Sequence, residues 1–287
     1  MRVSHTVNGI KLRPGQSEDI LLDIATRRLK KAPAFFRILK KSLDARDKGD
    51  INWVYSIEFS DCPPPAAAPL SVVPQKKLPA SPVVVVGSGP CGLFAAIRLL
   101  DRGVKPIVAE RGDNIEVREQ KTAAFAKDKI FDAECNVQFG EGGAGTFSDG
   151  KLNTQTHSRY NREVADIFVR FGAPEEIRYL SKPHIGSDNL KKIIVAMRRY
   201  IESAGGKILF GTRMDDIVIK DGKAESVVFT RGGKTDVVSP RVIVMAVGHS
   251  ARDTFEMLLR RGVSMRAKDF AVGFRIEHLQ KKISFAQ

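Results

Sequence analysis

Residues 82–92 read Pro-Val-Val-Val-Val-Gly-Ser-Gly-Pro-Cys-Gly, and no other stretch constrains the fold as strongly. Four consecutive valines predict a strand buried on both faces, as in a parallel sheet. The run breaks into Gly87-x-Gly89-x-x-Gly92. An apolar pattern at Leu93, Phe94, Ala95, Ala96, Ile97, Leu99 and Leu100 follows and predicts a helix. Strand, glycine turn and helix in this order form a cradle for a dinucleotide pyrophosphate. Gly87 permits the tight turn, Gly89 lets phosphates approach the backbone, and Gly92 lets the helix pack on the sheet. The helix opens with Pro90 and Cys91, where unpaired N–H groups and the positive end of the dipole favour an anion.

The flanks agree with this expectation. Gly103 is placed to close the helix. A second strand, Pro106-Ile107-Val108-Ala109, ends in Glu110. That carboxylate lies about 20 residues past the glycines, where an acid holds the adenosine ribose hydroxyls.

The 287-residue chain predicts about two domains and a substantial core. No apolar run is long enough to span a bilayer, and the first residues lack a signal-peptide core. Three cysteines, Cys62, Cys91 and Cys135, make no disulfide framework and point to a reducing, cytoplasmic setting. The formal charge of +14 favours anionic partners without choosing among nucleotides, phosphorylated metabolites, nucleic acid and an acidic membrane surface. The basic pairs, such as Arg27-Arg28, Lys40-Lys41 and Arg198-Arg199, read as solvated helix faces. Only Phe35-Phe36 sits beside such a cluster, and it reads as core.

Residues 1–61 read as a small α/β module: a strand at 3–12, helices at 18–31 and 35–45, and a strand at 52–59. Proline-rich residues 62–82 read as a semi-rigid linker, and 83–287 as the nucleotide-binding domain with part of a substrate or cap region. Within that domain, 112–138 reads as a polar helical stretch. Helices are expected at 160–171 and 188–204, and a β-meander of short segments at 207–210, 216–219, 226–230 and 235–238. A strand at 242–247 ending at Gly248, a helix at 255–261 and a strand at 270–276 complete the expectation.

A second dense motif, Gly142-Gly143-Ala144-Gly145-Thr146-Phe147-Ser148-Asp149-Gly150, follows the polar stretch. Successive glycines can turn backbone N–H groups inward to form a concave anion site, and Ser148 can donate through its hydroxyl. The order of elements resembles the glutathione-reductase-like flavoprotein fold, an FAD/NAD(P)-binding Rossmann-like domain with a β-meander. Ala246-Val247-Gly248 occupies the place of that fold's motif beside FAD, and Met214 the place of a backbone contact to adenine. The glycine loop is similar to the second flavin loop of fumarate-reductase-type enzymes. Residues 83–94, Glu110-Arg111-Gly112, 136–154, 183–186 and 247–253 together resemble the FAD-dependent, NAD(FAD)-utilising dehydrogenases, along nearly the whole chain.

That resemblance implies FAD binding, with NAD(P)H as the candidate electron donor, and no particular substrate. Proteins of this type are longer and return to the nucleotide domain after a Gly-Asp pair. None follows Gly273 here, so the chain is expected to be C-terminally truncated. No metal site is expected, because His157, His184 and His249 lack ligand spacing. Cys91 has no CxxC partner, so a dithiol reductase is not expected. Asp149 and Lys151 are the polar residues expected closest to a flavin ring, without a catalytic assignment. Two alternatives stay open: a nicotinamide-only dehydrogenase, and a flavin-dependent RNA-modifying or RNA-binding protein that uses basic N-terminal helices.

Overall fold

The computed structural model describes residues 4–63, 82–148, 150–152, 154, 156, 158, 160–270, 272–274 and 276–284. The chain is a mixed α/β protein with a parallel sheet. The N-terminal residues form an antiparallel sheet in the order β1-β3-β2, from β1 (Ser4–Leu12), β2 (Phe35–Asp44) and β3 (Asn52–Ser60). Helix α1 (Asp19–Leu29) buries Leu21 and Ala25 against Tyr55, Ile57 and Phe59 of β3.

Residues 35–45, expected as a helix, are strand β2. Phe36 and Ile38 alternate toward the α1 side, but a bulge between Ile38 and Lys40 breaks the period of two. The resulting spacing imitates a helix. Of the two basic N-terminal helices in the RNA alternative, only α1 is helical.

The central sheet is parallel, in the order β10-β4-β5-β6. Its strands are β4 (Val83–Val86), β5 (Pro106–Ala109), β6 (Lys207–Leu209) and β10 (Val242–Met245). Segment 207–210, expected in the meander, therefore extends this sheet instead. The meander proper is β7 (Thr212–Lys220), β8 (Lys223–Arg231) and β9 (Lys234–Val238).

Side-chain alternation along β4 divides the core. Val85 joins Leu93 and Ile97 of α2 (Pro90–Leu100) and Ile193, Met197 and Ile201 of α5 (Ser187–Ser203). Val84 and Val86 face the other way, onto Met214, Val227 and Phe229 of the meander and Met257 and Leu258 of α6 (Arg252–Arg260). The sheet is thus sandwiched between helices and meander.

The polar stretch 112–138 is helical only over α3 (Ile115–Asp128); Lys129 closes it in a left-handed conformation. Helix α4 (Tyr160–Arg170) packs Ile167 and Phe168 into the α2 side. The described residues from 264 onward are exposed, and the expected strand at 270–276 is not formed there; the short α7 (Gln280–Ile283) follows. Residues 64–81 of the expected linker lie outside the described residues, as do Asp149 and His157. Among the described residues, no helix is long and apolar enough to cross a membrane.

Candidate dinucleotide site

The C-terminal ends of β10, β4 and β5 open into one groove of about 570 Å³. In an open parallel sheet, this end is where the chain reverses its winding and leaves a crevice for a ligand. Here the reversal falls between β4, from which the chain runs on to β5 and β6 on one side, and β10, which returns on the other. The chain enters the crevice five times, once through Thr212 and Met214 of β7. Gly87, Gly89, Pro90 and Cys91 come from the first turn, Glu110 and Arg111 from the end of β5, Gly143, Ala144 and Gly145 from the second glycine loop, and Gly248 and His249 from the end of β10.

Gly87 takes φ +101, and a Cβ there would collide with the backbone carbonyl of Ala246. Only glycine lets the β4 and β10 ends lie this close. Gly89 and Gly143 lie against each other in the groove wall, with the Cβ position of Gly143 3.1 Å from the Gly89 Cα. Gly92 does not line the groove. A side chain there would strike the Gly87 carbonyl, so its role is the close packing of α2 on the turn. The α2 N-terminus carries no acidic residue in its first turn, which leaves its positive end open to an anion.

Glu110 is buried and gathers three segments. Its Oε2 accepts from the Ser88 N–H at 2.7 Å and the Ser88 hydroxyl at 2.9 Å. Its Oε1 accepts from the N–H groups of Gly112 at 2.9 Å and Gly140 at 3.0 Å. A carboxylate has about four acceptor positions, and these donors fill them. The acid read from sequence as a ribose ligand is in the structure the knot that ties the first turn to the glycine loop.

At the rim, Arg111 lies over the Phe139 ring, 4.5 Å from its centroid, and donates to Asp253 at 2.5 Å. Burial disfavours the charge on Asp253, but the Arg111 hydrogen bond, the Thr254 N–H and the charges of Arg111 and Arg213 together outweigh it and hold the carboxyl below its usual range. Ser250 donates to Gln138 at 3.0 Å, a second tie between groove-lining residues. Met214 lines the groove, beside Thr212 from the same strand.

Gly142 and Ser148 are not in this groove. They line a second cavity of about 390 Å³, which shares Pro90, Cys91 and Gly145 with the first. Its walls are mainly apolar, with Phe94, Phe168, Leu190 and Ile194. Lys151 lines it too, and pairs through its backbone with His184. The Ser148 hydroxyl donates to the Gly145 carbonyl at 2.7 Å.

Arg118 was not anticipated from sequence. It is fully buried inside the 136–147 loop, 4.7 Å from the Phe147 ring centroid. Burial lowers its pKa to about 10. Its position in a charged, polar helix gives no sign of burial, because the loop that covers it is contributed from about 20 residues later. Cys135 is buried, which raises its thiol pKa, whereas Cys91 is exposed at the groove.

Residues 5–60 match a family described as "Domain of unknown function (DUF8436)". The chain is 42% identical, over 267 residues, to an uncharacterized protein of Clostridium beijerinckii (strain ATCC 51743 / NCIMB 8052). The match covers 87% of this chain and 49% of that protein, so the chain spans about half the length of its curated relative. Among solved structures, THI4 of Thermovibrio ammonificans is 18% identical with a TM-score of 0.43, and the match covers 64% of each chain. The 3-ketosteroid-Δ4-(5α)-dehydrogenase of Rhodococcus jostii RHA1 is 14% identical with a TM-score of 0.37, over 62% of this chain and 48% of that one. The flavin-dependent brominase Bmp2, as a triple mutant, is 18% identical with a TM-score of 0.36, over 63% of this chain and 41% of that one.

Proposed function

We propose that the chain is an FAD-binding oxidoreductase whose cofactor lies in the groove at the ends of β10, β4 and β5. The observation that carries this reading is the convergence of the Gly87–Gly89 turn, Glu110 and the Gly143–Gly145 segment on one cavity. An extended adenine dinucleotide needs these three features together: a glycine turn at a helix start for the pyrophosphate, a polar strand end near the ribose, and apolar walls for rings.

In this reading the α2 N-terminus and the backbone of Gly87 and Gly89 hold the phosphates. Glu110 fixes the loops that face the ribose; with its acceptor positions filled, it meets a ribose hydroxyl only where that hydroxyl displaces the Ser88 hydroxyl. Thr212 and Met214 border the adenine, and Arg111, pinned by Asp253, covers that end. When bound, FAD supplies hydride and electron transfer; the protein supplies orientation and exclusion of water. NAD(P)H is the proposed electron donor. Residues 1–61 are proposed as an accessory module, joined through 62–82 to the cofactor-binding residues 83–287.

The test is the pigment. Purified protein should show a flavin absorption spectrum, or acquire one on reconstitution with FAD, and acid release should yield FAD rather than FMN. A colourless protein that takes up NADH but not FAD would replace this reading with a nicotinamide-only dehydrogenase.

A further inference from the structure

Arg118 holds backbone carbonyls from inside the second glycine loop. Its Nε donates to the Asn136 carbonyl at 2.9 Å. Its Nη1 donates to the carbonyls of Glu141 at 2.7 Å and Gly143 at 2.8 Å, with Gly140 at 3.4 Å. The loop is shaped to admit it. Gly140 has φ +115, and a Cβ there would sit 2.6 Å from the Arg118 Cδ. Burying a guanidinium is costly, and hydrogen bonds from a charged donor offset that cost where they also fix a structure.

What they fix follows from peptide geometry. In a trans peptide the C=O of one residue and the N–H of the next point in opposite directions. Capture of the Glu141 carbonyl by Arg118 turns the Gly142 N–H away from Arg118. That N–H donates to the Ser88 carbonyl at 2.9 Å, in the middle of the first glycine turn. Capture of the Gly143 carbonyl turns the Ala144 N–H away from Arg118 in the same manner, and Ala144 lines the groove. The same contacts draw the negative ends of these peptides toward the buried cation.

We propose that Arg118 is the positioning residue of the anion site: it holds the loop carbonyls back so that the Ala144 N–H serves a bound pyrophosphate. This rests on the dinucleotide reading above. Arg118 holds the Glu141 and Gly143 carbonyls most closely, so its effect falls more on the phosphates than on the nucleoside.

The experiment compares ADP with adenosine, titrated calorimetrically into the full chain and into Arg118→Met and Arg118→Lys, with far-UV circular dichroism as the check on folding. Loss of the bonds that hold the Glu141 and Gly143 carbonyls predicts an ADP affinity about 30-fold weaker in Arg118→Met, with adenosine affinity within about threefold of wild type. Arg118→Lys keeps the charge but reaches fewer carbonyls, and a selective ADP loss of about fivefold is expected. It decides the matter if Arg118→Met does not fold. Equal losses for both ligands indicate a merely structural residue and overturn the proposal, as does no loss at all. A wild-type chain that binds neither ligand overturns the dinucleotide reading and this inference with it.

Discussion

Glu141 lies next to Gly140 on the loop that Arg118 organises, and it is fully buried. Burial pushes its pKa up to about 7. Its Oε2 accepts the Ile115 N–H at 2.9 Å, which favours the charged form. Arg198 also favours the charge, but its Nε, 3.1 Å from Oε1, is not aligned for a hydrogen bond; Glu116 and Glu202 oppose ionisation. An unfolded glutamate titrates near 4.5. Between that value and about 7, the folded chain keeps a proton that the unfolded chain has lost. Stability from this group is therefore full below about pH 4.5 and is lost as pH rises through about 7. The wild-type unfolding free energy from urea titration, relative to that of Glu141→Gln, should fall between about pH 5 and about pH 8 by on the order of 3 kcal/mol. Identical pH profiles for the two proteins would show that Glu141 does not hold the extra proton. Neither Glu141 nor Arg118 was legible as buried: Arg118 stands among charged neighbours and Glu141 in a glycine-rich loop, and the groups that bond them come from distant segments. The glycines at 87 and 89 were legible because their turn is local in sequence.

At the scale of elements, local patterns were read correctly where the period was intact, as in the valine run of β4 and the apolar stripe of α5. They failed where a bulge shifted the register, as in β2, and where strand order depends on distant partners, as in β6. The convergence at the sheet ends was legible from the glycine motifs. Its internal wiring was not, because it runs through contacts between segments distant in the chain. Helix α3 joins these levels, since its first turns carry Ile115, which bonds Glu141, and Arg118. The side chain of Asn114 caps it, accepting the Val117 N–H at 3.1 Å. Asn114→Ala should cost about 1 kcal/mol of unfolding free energy, whereas Asn114→Asp should stay close to wild type because aspartate caps equally well. Chemical denaturation of the two variants checks this. ADP affinity should also fall a few-fold in Asn114→Ala alone, because a frayed first turn loosens the base on which Arg118 stands.

For the molecule as a whole, the decisive quantity is the surplus of positive charge, +14 over 287 residues. Several basic side chains are locally matched: Arg111 of the groove with Asp253, Arg213 with Glu134 and Asp215, and Arg198 with Glu116. Such pairs fix geometry and contribute little field at a distance. The remaining charge is spread over the surface, where it sums into a long-range attraction for anions rather than a local contact. It should therefore act on the approach of a dinucleotide more than on its residence. Salt shortens the reach of that field to a few ångströms, while contacts inside the groove are screened far less. Stopped-flow quenching of FAD fluorescence should show an association rate that drops about tenfold between about 20 mM and about 500 mM salt, with the dissociation rate changing by less than about threefold. If dissociation carries most of the salt dependence instead, the ligand is held by exposed ion pairs at the surface and not by the backbone cradle of Gly87, Gly89 and Ala144.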